Sequence, residues 1–407
     1  MAKALPARPF GRSTEEKLIK KLKYFNSYKK DSTVTTQVTC AIVFCLFSFC
    51  WLYWFQADVL AVAQHVLSGG ATSYNRTVGA LLITFALLII QQVVNALIRL
   101  FRRSHALSYL PSMLFLAVIS DVRPDSCANC YLGLWWIAIP LVLALWGALV
   151  WVAKQTLPIR SGKMLTGFFS RMMWGNMLQM VVMMLLVVMV SNTNAVFHFR
   201  AHAETALLHD DLDEALRVGR ESAETDVHLT MLRAYALSQK GQLGERMFEY
   251  AIAGTGDDLL PLPSSRSRLL MLPADTLFKH LGAVPKGKMT AAHYYDLLER
   301  DTLATAAVAD YKLCGMLIDR RIDQFVAALP KYYPVNDSLP RHYREALILY
   351  THLRSKPAII YHHAVMDVDW KDFQHLESQY ADYLERKGIM EDHYATSYWY
   401  YYFYCKE

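Results

Sequence analysis

Residues 78–100 read VGALLITFALLIIQQVVNALIRL, and the first 21 of these positions carry no charged side chain. A helix needs about 20 consecutive apolar residues to cross the hydrocarbon core of a bilayer, because each residue adds about 1.5 Å and the backbone groups must bond to one another there. Three further runs meet the same requirement, at residues 38–55, 131–152 and 172–190. The sequence therefore predicts that the N-terminal half lies in a membrane.

The stretch 110–119, LPSMLFLAVI, is apolar but too short for its length to decide whether it crosses. Lys and Arg beside spans are retained on the cytoplasmic side, so the flanking charges decide instead. If this stretch crosses, the basic segments 99–103 and 154–171 lie on the same side as the basic N-terminus. With four crossings, the segment 154–171 would lie outside, which the rule disfavours. We therefore predict about five transmembrane helices, with the N-terminus in the cytoplasm and the C-terminal half outside it.

The charge of the chain differs between its two halves. Residues 1–196 contain 18 Lys and Arg against 6 Asp and Glu, whereas residues 197–407 contain 24 against 30, so the net charge of +6 describes neither half. The basic residues flank the apolar runs, where they orient membrane segments, so we predict no nucleic-acid partner. The predicted domains are a basic cytoplasmic N-terminus at 1–33, a transmembrane domain at 34–196 and a soluble α-helical domain at 197–407.

Five amide side chains lie within the predicted spans: Gln91, Gln92, Asn95, Asn176 and Gln179. They could line a path or bind a ligand, but hydrogen bonds between neighbouring helices are the favoured interpretation for such groups in a membrane. No Asp, Glu, Lys or Arg lies near the middle of a predicted span. This argues against a pump or an ion-coupled transporter, which usually keeps an ionisable group at that depth.

The C-terminal half has helical periodicity and three similar joins between helices, at residues 210–216, 240–248 and 317–330. In the first two, a polar turn is followed by Leu212 or Leu243 at the matching place, and small residues such as Ala215, Ala236 and Ala327 occur where helices must approach. Recurring helix pairs resemble a tetratricopeptide-type array, although no copy holds the full pattern. The predicted fold class is all-α, with this domain either a degenerate helical-repeat array or an irregular helical domain.

Two stretches near the C-terminus are distinctive: YYPVNDSLPRHYREAL at 332–347 and YWYYYFY at 398–404. On these stretches the chain resembles an uncharacterised family of unknown function among Bacteroidota multi-pass membrane proteins. The resemblance implies a cytoplasmic (inner) membrane with the C-terminal half in the periplasm, and it implies no activity, ligand or catalytic residue. The aromatic stretch could form an exposed recognition surface. We expect instead that it forms a helix with one side buried against neighbouring helices.

Two pairs of histidines lie near carboxylates. His198 and His202 are spaced i, i+4 on a predicted helix, but two histidines supply too few ligands to define a metal site. His362 and His363 precede Asp367, and adjacent side chains on a helix or strand diverge, so at most one imidazole joins the carboxylate. We predict no metal and no cofactor.

Cys127 and Cys130 form a Cys-x-x-Cys pair on the predicted outer loop. This spacing occurs in redox disulfides and in zinc sites, but the sequence contains neither a second such pair nor the βαβ pattern of a thioredoxin-like protein. A loop disulfide or two free thiols is therefore the favoured interpretation.

The sequence is compatible with two functions. The favoured one is a membrane-anchored scaffold whose helical domain binds a protein or peptide partner at the outer face of the cytoplasmic membrane, with Arg233 and Arg344 in the binding groove. The alternative is a membrane enzyme or a lipid-linked glycan-handling protein, with its site at Asp58, Asp121 and Asp125 on the outer loops. The glycine-rich phosphate loop and the common hydrolase signatures are absent from the sequence, so an enzyme is less favoured.

Overall fold

The computed structural model describes residues 34–98, 102–123, 133–155 and 171–405, and each regular element in them is a helix. The chain divides into two compact units, Met1–Thr193 and Asn194–Glu407. The described helices of the first unit are α1 (Val34–Phe55), α2 (Ala57–Ser68), α3 (Arg76–Ile98), α4 (Leu110–Ser120), α5 (Trp135–Gln155) and α6 (Arg171–Val190). A 3₁₀ segment, Arg102–Tyr109, leads into α4. The all-α prediction is confirmed for the described residues.

Four helices of the first unit, α1, α3, α5 and α6, are long and apolar enough to cross a membrane. Much of their apolar surface faces outward: Leu82 and Phe85 in α3 are each 63% exposed, and Leu141 in α5 is 68% exposed. Large apolar surfaces exposed along whole helices suit contact with lipid and are unusual in water. The structure is thus consistent with a membrane protein.

The segments between the long helices differ from the sequence prediction in one place. The apolar stretch Ser104–Ser120, which contains the predicted fifth crossing, is shorter than the four long helices. The segment around Asp58, which the sequence analysis assigns to an outer loop, forms α2, and Val59, Leu60 and Val62 of this helix are buried. The α2 helix has 12 residues, which are too few to cross a bilayer, so the length of apolar runs does not reveal it.

Polar side chains join α3 and α6 to the segment before α4. Gln91 Nε2 donates to Ser108 Oγ over 2.9 Å, and Asn176 Oδ1 accepts from the backbone N–H of Ala106 over 2.8 Å. Gln91, Ser108 and Asn176 are fully buried. The interpretation of Gln91 and Asn176 as groups that bond neighbouring helices is therefore confirmed.

The second unit is built from short helices around one continuous apolar core. Its helices are α7 (Ala195–Leu208), α8 (Leu212–Arg217), α9 (Val227–Gln239), α10 (Leu243–Arg246), α11 (Ala274–Leu281), α12 (Ala291–Arg300), α13 (Ala307–Ile318), α14 (Ile322–Tyr332), α15 (Arg341–Leu353), α16 (Ala364–Gln379), α17 (Tyr383–Tyr394) and α18 (Tyr398–Tyr404). The longest runs of buried residues belong to α9, at residues 229–238, and to α15, at residues 345–350, so these two helices lie at the centre of the unit.

The three joins found in the sequence have the same backbone geometry. One turn residue in each has a positive φ, which is 57° at Asp210, 64° at Gly241 and 55° at Arg320. The next N–H bonds to the carbonyl five residues earlier, over 3.0, 2.8 and 2.8 Å respectively, and so closes the end of the preceding helix. The helices that follow differ in length, since α8 has 6 residues, α10 has 4 and α14 has 11. The regularity of a tetratricopeptide-like array is therefore not confirmed.

The aromatic helix α18 lies in the core, where Tyr398 and Trp399 are 0% and 2% exposed. Glu345 of α15 holds its start: the carboxylate accepts from the Tyr398 N–H over 2.7 Å, and the Glu345 carbonyl accepts from Trp399 Nε1 over 2.8 Å. Burial raises the pKa of Glu345, but His342 and Arg341 together with the Tyr398 N–H outweigh this effect and hold the pKa below its usual value. The expected burial of the aromatic stretch is confirmed.

Candidate functional site

Arg233, for which the sequence predicts a place in a binding groove, lies inside the second unit and is 2% exposed. Its guanidinium donates to the carbonyl oxygens of Val218 over 3.3 Å, Gly219 over 2.8 Å and Ala251 over 3.4 Å, and it lies 5.1 Å from the ring centroid of Tyr250. Burial lowers the pKa of Arg233 to about 10, which leaves it charged at neutral pH. Arg233 therefore fixes two loops and one aromatic ring from within, and it does not face solvent.

Tyr250 also lines an open cleft with a volume of about 440 Å³. The walls of the cleft come from α8, the turn after it, and the segment that contains α10. The lining residues are Asp211, Asp213, Glu214, Leu216, Arg217, Arg220, Arg246 and Tyr250. Binding pockets for small ligands commonly have volumes of about 300–1,000 Å³, so this cleft has room for several side chains of a bound segment.

Arginine side chains supply most of the hydrogen-bond donors of the cleft. The side chains of Arg217 and Arg220 are 78% and 52% exposed. The Glu249 carboxylate accepts from Arg220 over 3.3 Å and from Arg246 over 3.0 Å, so two guanidinium groups share one carboxylate oxygen. Each guanidinium has five N–H donors in a planar fork that fits a carboxylate. The cleft thus offers donors for a further carboxylate beside the aromatic ring of Tyr250.

The acidic residues of the cleft already have contacts within the unit. His202, of the predicted pair His198 and His202, has its Nε2 3.1 Å from Glu214 Oε1, and Glu214 also pairs with Arg217. Asp211 accepts from the Glu214 N–H over 3.0 Å and so caps α8. Among the residues that the structure describes, no group of three or more His, Cys, Asp or Glu side chains is arranged to hold a metal ion.

Arg344, the second residue predicted to bind a partner, is partly buried in α15. Its Nη1 lies 3.4 Å from Nε2 of His363, the residue that caps α16. His362 turns elsewhere, with its Nδ1 3.3 Å from Asp367 Oδ2, as the divergence of adjacent side chains predicts. The structure thereby brings together Arg344 and His363, which the sequence presents as separate features.

The outer-loop carboxylates of the enzyme alternative have structural contacts. Asp121 has an 11% exposed side chain, and its two oxygens accept from Arg123 Nε and Trp135 Nε1, each over 2.9 Å. It therefore ties the end of α4 to the start of α5. Asp58 lies in the first turn of α2, where the helix dipole favours a carboxylate. Three residues of the predicted outer loop lie outside the described residues: Asp125, Cys127 and Cys130.

Sequence reasoning does not single out Arg217, Arg220 and Arg246, although a signal for them is present. All three follow the turn residues of the first two helix joins, Asp210 and Gly241, within ten positions. Equivalent turns place the residues that follow them at related positions of successive helix pairs. An arginine follows each of these two turns, at Arg217 and Arg246, whereas Arg233 lies in the middle of a buried helix.

Residues 289–405 match a family described as "Family of unknown function (DUF6057)". The predicted resemblance to a family of unknown function is thus confirmed for the C-terminal region. No curated protein and no solved structure matches the chain. The matched region contains Arg344 and His363, whereas the arginine-lined cleft precedes it.

Proposed function

We propose that the chain is a membrane-anchored scaffold whose second unit binds a segment of a partner protein in the cleft beside α8 and α10. The observation that carries this proposal is the convergence of Arg217, Arg220 and Arg246 on one open cleft with an aromatic wall, Tyr250. Arg and Tyr are enriched among the residues that dominate binding at protein interfaces. A partner segment with carboxylate side chains would pair with the guanidinium groups and pack against the ring.

The partner surface extends, in this proposal, along a degenerate series of helix pairs. The turns at Asp210, Gly241 and Arg320 share one hydrogen-bond pattern, which supports a series of helix pairs even though α8 and α10 are short. Stacked pairs present a long surface to an extended segment without a catalytic pocket. Shortening the second helix of a pair leaves space between successive pairs, and the cleft lies where the two shortest helices occur.

Charge reversal in the cleft tests this function. With a photo-reactive residue in place of Asp213, we expect one dominant protein adduct in native membranes, because this side chain lines the cleft and is 85% exposed. Adding Arg220→Glu should reduce the adduct roughly tenfold or more, since it turns an attractive contact into a repulsive one worth at least about 1.4 kcal/mol. The measurement is the adduct yield on immunoblots, followed by mass spectrometry of the partner.

The matched control is Arg300→Glu, which reverses an arginine whose side chain is 70% exposed outside the cleft and should leave the yield unchanged. Equal loss with Arg220→Glu and Arg300→Glu would show a general charge effect and contradict the proposed site. Adducts with lipid or glycan alone would instead favour the enzyme alternative.

For the membrane unit we infer five crossings, with the second unit on the outer face of the cytoplasmic membrane. Two contacts support the fifth crossing: the Ala106 N–H bonds to Asn176 near the start of α6, and the Asn192 N–H bonds to the Ser120 carbonyl beyond the end of α6. The stretch that ends at Ser120 therefore runs alongside α6 over most of its length. Trp51 Nε1, near the end of α1, donates to Ser120 Oγ over 3.2 Å at the same end of the bundle.

Labelling of cysteines from one side of the membrane tests this arrangement. A membrane-impermeant maleimide is expected to modify the exposed Cys405 in cells whose outer envelope has been opened, because the second unit lies outside the cytoplasmic membrane in this proposal. A Ser13→Cys variant should react only after lysis, since the basic N-terminus is cytoplasmic. Peptide-resolved mass spectrometry measures both. Four crossings would place both cysteines on one side and give equal labelling.

A further inference from the structure

The imidazole of His363 is held in one orientation at the start of α16. Its Nδ1 accepts from the backbone N–H of Met366 over 3.3 Å, which makes it the cap of this 16-residue helix. A neutral imidazole carries one proton, so an Nδ1 that accepts leaves the N–H on Nε2. That Nε2 lies 3.4 Å from Nη1 of Arg344, which is also a donor. Two N–H groups therefore face each other.

A hydrogen-bond acceptor placed between Arg344 and His363 would satisfy both of these donors. If the imidazole proton is on Nδ1 instead, this N–H faces the N–H of Met366, which is also a donor. Each neutral tautomer therefore leaves two donors facing each other. Nε of Arg344 is buried without a hydrogen-bond partner. Unsatisfied buried donors cost free energy, so a ligand that accepts hydrogen bonds from them is stabilised. The site thus has donors that point to a bound anion.

The neighbouring carboxylates already have partners, and they limit the charge of the ligand. Asp367 Oδ2 accepts from the His363 N–H over 3.2 Å, and Asp337 Oδ1 accepts from Tyr361 Oη over 3.3 Å. With one arginine and two nearby carboxylates, a singly charged anion fits better than a phosphate dianion. A carboxylate also matches the planar donor fork of Arg344.

Apolar side chains flank the site in the chain. Ile360 and Val365 lie three residues before and two residues after His363, and they are 66% and 63% exposed. A ligand with an apolar group next to its carboxylate would cover this surface while it bonds to the donors. We propose that Arg344 and His363 form a binding site for a carboxylate attached to an apolar group, separate from the arginine-lined cleft and independent of its function.

The test uses the full chain in detergent with ¹⁵N-labelled histidine rings, and N-acetyl-Val-Leu with a free C-terminus as the probe. Saturable shifts of the His363 ring signals are expected, assigned by their loss in His363→Asn, because Asn retains the helix cap. Arg344→Gln should weaken binding at least tenfold. The control Arg354→Gln, at an arginine paired with Asp323 on the surface, should bind as the unmodified protein does.

Two further probes separate the sources of the carboxylate. The C-terminal amide of the same dipeptide should not bind, because it lacks the charge. Butanoate that binds as tightly as the dipeptide would identify a small free acid as the ligand, whereas weaker binding of butanoate would identify a protein C-terminus. The proposal is overturned by the absence of saturable shifts with the free acids, by equal binding of acid and amide, or by unchanged binding to Arg344→Gln.

Discussion

Replacing Glu204 with Gln is expected to lower the free energy of unfolding of the second unit by about 3–5 kcal/mol, the range for removing one partner from a buried charged pair. Glu204 is 0% exposed, and its carboxylate accepts from the N–H groups of Leu270 over 2.9 Å, Met271 over 2.7 Å and Leu272 over 3.1 Å. Arg200 Nε lies 3.4 Å away as the buried countercharge. Gln keeps the shape but leaves Arg200 without that charge and weakens all three N–H contacts.

Glu224→Gln is the matched control, because Glu224 is exposed in the same unit and a surface substitution usually changes stability by less than about 0.5 kcal/mol. Unfolding of the full chain in detergent is followed by near-ultraviolet circular dichroism against temperature and by pulse proteolysis. Similar stability of the Glu204→Gln and Glu224→Gln proteins would show that the carboxylate does not hold the segment 270–272 in place.

The membrane helices could be predicted because their signal is local. About 20 apolar residues in a row determine a spanning helix without reference to the rest of the chain, and the structure contains such helices at the four predicted places. The turns at Asp210, Gly241 and Arg320 are also local, since a helix is closed by residues within one turn of its end. The helix α2 has only 12 residues, which is too short for its apolar residues to identify it as a helix from the sequence alone.

The contacts that organise the second unit are not local, and sequence reasoning does not find them. Glu204 accepts hydrogen bonds from backbone N–H groups 66 to 68 positions later. Almost every residue has a backbone N–H, so the sequence does not identify which ones Glu204 contacts. The charge of Arg233 suggests a position on the surface, but the residue is buried. Three carbonyl oxygens from two loops accept hydrogen bonds from its guanidinium and so make the burial possible. Arg344 and His363 are 19 positions apart and meet only after α15 and α16 are placed.

Alanine substitutions at two glycines that face each other are expected to have opposite effects. A Cβ added to Gly256 would lie 2.7 Å from the Gly315 carbonyl oxygen and 2.9 Å from its Cα, and backbone atoms cannot move aside as a flexible side chain can. Gly256→Ala should therefore lower the free energy of unfolding by about 1–3 kcal/mol, as overpacking does. The 2.8 Å bond from the Gly256 N–H to Asp319 would be strained by the same shift.

A Cβ added to Gly315 would lie 3.5 Å from Gly256 Cα, which is an ordinary van der Waals contact. Gly315 lies inside α13, where alanine is favoured over glycine by about 0.8–1.0 kcal/mol, so Gly315→Ala should raise the stability by up to this amount. Thermal unfolding of both variants in the same detergent measures the difference. The proposed difference in space at the two positions would be contradicted if both substitutions lowered the stability to the same extent.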